Sequence, residues 1–388
     1  MQAAVRNAGH PHYFEIIKGL ISNRSFLWTN TIASPANPTS TAACLHLIAP
    51  DASAARRISL TNGNVSEYPF SVSIPVSGLH HVTAIASDPQ RNLDFYADLL
   101  GLRLVKRTIN FDDPGTYHFY YGDGHGTPGT ILTFFPWPNA RRGGRGTGQI
   151  DALGFNTAPE SVGYWLERFK QNHVSAEHAP KRFGQDVIRF ADPDGLLLEL
   201  IASEPEREVE VWPESDIPAE HSLRGFHSVS AALEGYERSA KLLTEVFGYE
   251  LAREEANRFR FSAAGTTGPG RMIDLLCMPD TQHARGGAGT VHHIAFRTTD
   301  DASQRVCREQ LVELGFNVSP VMDRTYFHSI YFREPGGILF EIATDPPGFT
   351  ADENLEELGH ELRLPPWMEK ARAQVEAVLP SIAPPGKR

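Results

Sequence analysis

Short stretches in which hydrophobic residues occupy alternate positions recur along this 388-residue chain, and each is followed by a segment with helical spacing. In the first stretch Val82, Ala84 and Ala86 occupy every second position, which predicts a strand. The segment that follows has apolar residues at helical spacing and ends on a glycine suited to a left-handed cap: Leu93, Tyr96, Leu99, Leu100 and Gly101. The pattern predicts a strand followed by an amphipathic helix.

The same pattern occurs four times. Residues 78–102 align without a gap with residues 225–249, and residues 148–157 align with 289–298. The ends of the second pair, 190–200 and 332–342, also correspond, and turn sequences at 192–195 and 334–337 separate further strands. The repeat is therefore predicted to be a βαβββ module, present at 78–136, 148–202, 222–278 and 289–345.

This organisation predicts an α+β protein of two domains, residues 77–203 and 221–345, each containing two modules. The acidic, proline-containing stretch 204–220 is predicted to link them. Residues 346–388 form a tail, in which 364–379 is predicted to be a helix that begins at a proline. Residues 1–76 form an N-terminal extension that is poor in acidic residues and rich in Ser, Thr, Ala and Pro; it is compatible with a disordered segment or with a mitochondrial targeting segment.

Composition narrows the functional classes. The 36 Lys and Arg residues against 47 Asp and Glu give a net charge of −11, which disfavours nucleic acid and anionic lipid as partners. The three cysteines, Cys44, Cys277 and Cys307, are too few and too scattered for a disulfide framework, which indicates a reducing compartment. No apolar run approaches the roughly 20 residues needed to cross a bilayer. These features predict a cytoplasmic protein without a membrane partner, and a homo-oligomer is compatible with them.

Several motifs resemble those of a known superfamily. They are LHHVTAI at 79–85, RRGGRGTGQ at 141–149, VHHIAF at 291–296 and LFEIATDPPGF at 339–349. Together with the paired modules they resemble the vicinal-oxygen-chelate superfamily, and more narrowly its hydroquinone-type ring-cleaving dioxygenases, over about residues 78–380. The resemblance implies two tandem vicinal-oxygen-chelate domains with curved mixed sheets.

Three residues are predicted to bind a metal. His81 and His293 stand near the starts of strands in two different modules, and Glu341 lies in an apolar run late in the second of these modules. A buried carboxylate is costly unless it is paired or bound to a metal. Two histidines and one carboxylate form the facial triad that holds iron(II) and leaves positions open for substrate and dioxygen; manganese(II) is the other metal that this set suits. The resemblance implies that the first module pairs with the fourth to assemble the set.

Five further residues carry over from the resemblance as catalytic candidates. His80, His292 and Thr83 are implied to lie beside the substrate, although adjacent residues of a regular strand face opposite sides. Placing His80 and His81 on one side therefore requires a twist or a bulge in the strand. Tyr331 is expected to donate a hydrogen bond in the site, and Arg324 to orient an anionic substrate.

The repeats also predict which positions lack function. Arg182 is the repeat equivalent of Arg324, so a structural role for that arginine stays open. A second, pseudo-equivalent site between modules two and three retains Glu199, but Ser228 stands at the position of His81 and Ala152 at that of His293. One carboxylate without two imidazoles does not make a facial triad. This second site is expected to contain no metal, and His118 is expected to have a surface or core role.

The resemblance implies an iron(II)-dependent dioxygenase that opens the ring of a small dihydroxylated aromatic with dioxygen. Three alternatives remain open at this point. The first is a catechol-type extradiol dioxygenase, which would use the same residues. The others are a glyoxalase-like isomerase or lyase and a non-catalytic small-molecule-binding protein of the same fold.

Overall fold

The computed structural model describes residues 74–204 and 206–386. The predicted N-terminal extension lies outside the described residues, apart from its last three. Each predicted module contains four strands. Those of the first two modules are β1 (Leu79–Ala86), β2 (Arg103–Asn110), β3 (Asp113–Gly122), β4 (Ile131–Pro136), β5 (Gln149–Thr157), β6 (Ala176–Arg182), β7 (Gln185–Ala191) and β8 (Leu197–Ala202). Those of the last two are β9 (Phe226–Leu233), β10 (Tyr249–Glu255), β11 (Arg258–Ala263), β12 (Met272–Cys277), β13 (Thr290–Thr298), β14 (Met322–Asp323), β15 (Phe327–Arg333) and β16 (Leu339–Pro347).

A helix follows the first strand of every module, so the predicted βαβββ order is confirmed four times. The helices are α1 (Pro89–Leu93, continued by a π-helical segment, Asp94–Leu99), α2 (Val162–Gln171), α3 (Glu237–Lys241, continued by a π-helical segment, Leu242–Val246) and α4 (Asp301–Glu313). The Asp88 side chain caps α1 by accepting from the backbone N–H of Arg91 at 2.8 Å. At the other end Gly101 has a φ of 70°, as its predicted cap position requires.

The sixteen strands form two eight-stranded mixed sheets. The first has the order β14-β15-β16-β13-β1-β4-β3-β2, and the second has the order β10-β11-β12-β9-β5-β8-β7-β6. Modules one and four therefore share one sheet, and modules two and three share the other. In each sheet the first strands of the two modules run antiparallel at the centre, as β1 with β13 and β5 with β9. The predicted domain boundaries, 77–203 and 221–345, remain a prediction; each of these segments contributes one module to each sheet.

The chain after β16 packs along the first sheet. Leu362 forms a bridge with Arg107 of β2, and Arg103 donates hydrogen bonds to the backbone oxygens of Leu355 and Glu356. A 3-10 turn, Glu369–Ala371, and a short helix, α5 (Arg372–Val378), follow. The helix predicted over 364–379 therefore begins later than expected and does not start at a proline. No helix in residues 74–204 and 206–386 is long and apolar enough to cross a membrane.

A buried lysine anchors this tail. The Nζ atom of Lys106, on β2, donates to the Phe349 backbone oxygen at 3.0 Å and to Asp352 Oδ1 at 2.6 Å, and it also contacts the Glu353 carboxylate. Lys106 is completely buried, and its ammonium group lies 4.7 Å from the centre of the Tyr326 ring. Removal of the lysine would leave the buried carboxylate of Glu353 without its nearest cation.

We expect Lys106→Met to lower the free energy of unfolding by roughly 3 kcal/mol, because it breaks a buried ion pair. The remaining cation at Glu353 is Arg363, whose Nε atom lies 3.2 Å from Glu353 Oε1. Denaturant unfolding at neutral pH measures the change. Lys170→Met is the control, since Lys170 is exposed and lies 3.6 Å from Glu167; it should change the same quantity by less than about 0.5 kcal/mol. Equal effects of the two substitutions would contradict an anchoring role for Lys106.

Candidate metal centre

Three side chains meet on the concave region between the central strands of the first sheet. His81 lies on β1, His293 on β13 and Glu341 on β16, and their exposed fractions are 2%, 5% and 0%. His81 Nε2 lies 3.4 Å from His293 Nε2, and Glu341 Oε2 lies 2.9 Å from His293 Nε2 and 3.5 Å from His81 Nε2. The structure therefore brings the three predicted ligands together, and it does so by joining the first module to the fourth.

The donor set fits a metal ion. Ligand atoms about 2.1 Å from a metal and at right angles to one another lie about 3 Å apart, close to the distances between these three atoms. Ser329 Oγ donates to Glu341 Oε1 at 2.5 Å, whereas the buried Oε2 has no hydrogen-bond donor: the nearby imidazoles lie outside hydrogen-bond geometry. Burial lowers the pKa of His293, which favours the neutral imidazole that a metal requires.

Two β-bulges orient the paired histidines. Leu79 pairs with Phe296 and His81 with Ala295, so His80 is an extra residue on β1. In the same ladder Thr83 pairs with His293 and Ala84 with Val291, so His292 is an extra residue on β13. A bulge breaks the alternation of side chains, which allows adjacent histidines to lie on the same side. This is the irregularity that the sequence required.

The bulged histidines contact the ligand histidines. His80 Nδ1 lies 3.0 Å from His81 Nδ1, and His292 Nδ1 lies 2.8 Å from His293 Nδ1. The Nε2 atom of each ligand histidine thus remains directed at the metal position. His80 is buried, whereas the His292 side chain is exposed. The His292 side chain is thus open to a molecule that approaches from solvent.

Tyr331 and Arg324 lie beside the ligands. Tyr331 pairs with Glu341 across β15 and β16, and its ring centre lies 5.7 Å from that of His293. Arg324 Nε donates to the Tyr331 hydroxyl at 3.3 Å, and Arg324 Nη2 lies 3.1 Å from Asp112 Oδ2. Burial raises the pKa of Tyr331, and the charge of Glu341 adds to the rise, so the phenol is protonated at neutral pH. It can therefore donate a hydrogen bond.

Sequence reasoning missed several residues of the centre. Thr83 Oγ1 lies 2.8 Å from Thr133 Oγ1 on β4, and Thr133 Oγ1 lies 2.9 Å from His118 Nε2 on β3. Phe327 packs its ring 5.0 Å from that of His81. His118 has no counterpart among the repeated histidines, so the alignment of repeats could not single it out. A signal did exist, since His118 lies on a predicted strand of the module that carries His81.

The pseudo-equivalent position in the second sheet is organised differently. Glu199 is buried and accepts hydrogen bonds from both terminal nitrogens of Arg182, at 2.5 and 2.7 Å. The bulged His227 contacts Ser228 Oγ and Gln185 Nε2, each at 3.1 Å. Among residues 74–204 and 206–386, His81, His293 and Glu341 are the one group of three or more such side chains arranged to hold an ion. The absence of metal from the second position stays a prediction.

The four modules, their pairing and the cluster of two histidines and one glutamate define a protein of the vicinal-oxygen-chelate class. The chain belongs to the Glyoxalase/Bleomycin resistance protein/Dioxygenase superfamily, whose model matches residues 78–200 and 225–342. The superfamily predicted from the motifs is thus confirmed.

Relatives that match this chain over nearly all of their own length are named as dioxygenases. The chain is 44% identical over 302 residues to the "Putative ring-cleaving dioxygenase MhqO" of Bacillus subtilis, covering 77% of this chain and 94% of that protein. It is 35% identical over 306 residues to the chlorohydroquinone/hydroquinone 1,2-dioxygenase of Sphingobium indicum, covering 77% and 95%. A crystal structure of a "putative dioxygenase" from Bacillus subtilis superposes with a TM-score of 0.77 at 43% identity, covering 80% of this chain and 99% of that one.

Proposed function

We propose that this protein is an iron(II)-dependent ring-cleaving dioxygenase that opens hydroquinone-type aromatic rings with dioxygen. The observation that carries the proposal is the cluster of His81, His293 and Glu341, whose free nitrogen and oxygen atoms converge within 3.5 Å of one another. A facial set of two histidines and one carboxylate is typical of non-haem iron(II) oxygenases. The names of the relatives favour a dihydroxylated aromatic as the substrate.

His81 Nε2, His293 Nε2 and Glu341 Oε2 would hold the metal. When bound, iron(II) supplies a centre at which a phenolic oxygen and dioxygen can react side by side. The protein keeps the three ligands rigid: Ser329 holds the second oxygen of Glu341, and the bulged histidines hold the Nδ1 atoms of the ligand histidines. Such contacts set the orientation and the basicity of ligands.

The residues around the three ligands can form hydrogen bonds with the substrate and stabilise negative charge on its oxygen atoms. His292 is exposed at the edge of the centre, where its neutral imidazole can accept a hydrogen bond from a phenolic hydroxyl as the substrate enters. The protonated hydroxyl of Tyr331 and the guanidinium of Arg324 can donate to oxygen atoms that become negative during the reaction. Asp112, paired with Arg324, holds that guanidinium in place. His80 has its ring buried against His81 and Phe327, which suits a positioning role better than contact with substrate.

The ligand set also bears on the alternatives. Zinc or nickel isomerases and lyases of this fold lean towards more carboxylate and amide ligands, and a non-catalytic binding protein would not need a metal set at all. A catechol-type extradiol dioxygenase would use the same three ligands, so the choice between it and a hydroquinone enzyme depends on the substrate rather than on the metal centre.

Oxygen uptake by the iron-loaded chain tests the proposal. We expect faster uptake with para-dihydroxybenzenes than with catechols, together with ring-opened products that carry both atoms of labelled dioxygen. The zinc-loaded protein is the control, because zinc has no redox chemistry and should support no uptake. Faster uptake with catechols at equal iron content would identify the catechol-type enzyme, and absence of uptake with every member of the panel would refute the proposed function.

A further inference from the structure

A row of hydrogen bonds leads away from the metal centre through the first module. Thr83 lies on the same face of β1 as His81 and pairs with His293 across the ladder. From Thr83 the row passes to Thr133 Oγ1 at 2.8 Å and from there to His118 Nε2 at 2.9 Å. It ends at the Tyr120 hydroxyl, 2.9 Å from His118 Nδ1. Three neighbouring strands, β1, β4 and β3, contribute these four side chains.

The hydrogen bonds of the row can run in either of two directions. In each direction the hydroxyl at a different end of the row has a proton without an acceptor. If Thr83 donates to Thr133, then Thr133 donates to His118 Nε2, and the Nδ1–H of His118 donates to the Tyr120 oxygen. The phenolic proton of Tyr120 then has no acceptor. Tyr120 is 2% exposed and packs in a cluster with apolar residues. That cluster comprises Val105, Ile131, Ala295, Tyr326, Phe327, Ala343, Phe349 and Leu358. A buried donor without an acceptor is destabilising.

The opposite direction moves the unpaired proton from the Tyr120 phenol to the Thr83 hydroxyl, which is also buried but lies on the face that carries the metal ligands. Tyr120 donates to His118 Nδ1, His118 donates through Nε2–H to Thr133, and Thr133 donates to Thr83. Burial raises the pKa of Tyr120 well above its ordinary value, so the phenol keeps a proton that it can donate to His118. The one hydroxyl proton without an acceptor is then that of Thr83, on the face that carries the metal ligands. An oxygen atom of a bound substrate can accept a hydrogen bond from it there.

The second sheet shows that this arrangement is not a general feature of the module. By strand register, Ser230 and Asp274 correspond to Thr83 and Thr133, while Arg258 and Arg260 correspond to His118 and Tyr120. Arg258 donates to Ser230 at 2.7 Å and to Asp274 at 2.9 Å, and Arg260 donates to Asp274 at 2.7 and 2.9 Å. A cluster of ion pairs thus replaces the neutral row in the half that lacks the two ligand histidines.

We infer that Tyr120, His118 and Thr133 are positioning residues that hold the Thr83 hydroxyl as a hydrogen-bond donor to an oxygen atom of the substrate at the metal centre. The role of the Thr83 hydroxyl in turnover rests on the proposed function, whereas the direction of the hydrogen bonds does not. This direction requires that His118 is neutral and protonated on Nε2.

The tautomer of His118 tests the direction without any substrate. The zinc-loaded full chain with ¹⁵N-labelled histidine is examined by NMR, and the signals of His118 are assigned by their loss in His118→Gln. We expect an Nε2–H tautomer with an unprotonated Nδ1. An Nδ1–H tautomer would overturn the inference, because Thr83 would then be the first donor of the row.

Kinetics test whether the row acts through Thr83. His118→Phe and Thr83→Val should each lower kcat for a hydroquinone about ten-fold, the effect of one hydrogen bond of about 1.4 kcal/mol, with iron content unchanged. If His118 acts through Thr83, the double variant should be no slower than either single variant. A product of the two effects, near a hundred-fold, would show that His118 acts independently and would overturn the inference.

Two tyrosines provide a matched pair of variants. Tyr120→Phe removes the first donor of the row and should lower kcat about three-fold, because His118 is no longer confined to one tautomer. Tyr121→Phe removes the neighbouring buried hydroxyl, which donates to Asn92 at 2.9 Å, and should leave kcat unchanged. Equal effects would overturn the positioning role. If the wild-type enzyme consumes no oxygen with any dihydroxybenzene, the proposed function fails, and the tautomer alone decides the direction of the row.

Discussion

Replacement of Glu341 by alanine is expected to remove iron from the protein and to lower oxygen uptake by about a thousand-fold or more. A bound metal supplies several kcal/mol of transition-state stabilisation, and about 4 kcal/mol corresponds to a thousand-fold change in rate. Glu341 provides the one carboxylate oxygen of the cluster, and among the described residues that oxygen has no hydrogen-bond donor, although His293 Nε2 lies 2.9 Å away. His81→Ala and His293→Ala should have the same effect, because each removes one of the two imidazole nitrogens.

Metal analysis of the purified variants, alongside circular dichroism, measures this result. The wild-type chain should bind one iron. His227→Ala is the matched control, since His227 occupies the bulge of the second sheet and contacts Ser228 and Gln185 rather than a ligand set. It should keep full iron content and activity. Normal iron content in Glu341→Ala, or two irons per wild-type chain, would contradict the assignment of the centre.

The second large effect is expected at Arg182. Arg182→Met should lower the free energy of unfolding by about 3–5 kcal/mol, because the variant retains a buried glutamate without its principal cation. Arg182 and Glu199 are 7% and 2% exposed, and two hydrogen bonds join them. Although burial by itself would raise the pKa of Glu199, the hydrogen bonds and charge of Arg182 hold it below its ordinary value.

The lowered pKa of Glu199 gives this prediction a pH dependence. A carboxylate with a lowered pKa in the folded state contributes stability above its unfolded pKa of about 4.3, and this contribution is lost as the pH falls through the lower folded value. Denaturant unfolding at pH 7 should therefore show the full difference in unfolding free energy between wild type and Arg182→Met, and this difference should shrink below about pH 4.

The double variant Arg182→Met/Glu199→Leu should recover most of the stability, because it removes the unpaired charge. No recovery would indicate that packing by Arg182 causes the loss.

The two sheets therefore resolve the same problem in different ways. Each places a glutamate in an apolar setting at an equivalent position of its last strand, and each needs a cation there. In the second sheet Arg182 supplies the cation from within the chain. In the first sheet its repeat equivalent, Arg324, contacts Tyr331 and Asp112 instead, and Glu341 faces two imidazoles. Because Arg324 does not pair with Glu341, a metal ion can supply the positive charge beside that carboxylate. Arg324 is then available to contact a substrate.

The sequence by itself determined the repeating parts of this protein. Alternation of apolar residues and helical spacing are local properties, so four βαβββ modules could be predicted from the chain alone. The constant spacing between repeats showed that Ser228 and Ala152 stand at the positions of His81 and His293. It also showed that Glu199 stands at the position of Glu341. The resemblance of the motifs supplied the pairing of the first module with the fourth.

Only the tertiary structure decided how those residues are oriented. A bulge is a property of two paired strands, and β1 and β13 lie about two hundred residues apart in the chain, so neither strand by itself shows that His80 and His292 are the extra residues. The row from Thr83 to Tyr120 likewise crosses three strands that are neighbours only in the sheet. Periodicity predicts which face of a strand a residue occupies, but hydrogen bonds across a sheet depend on strand order and register, which are set when the modules pack together.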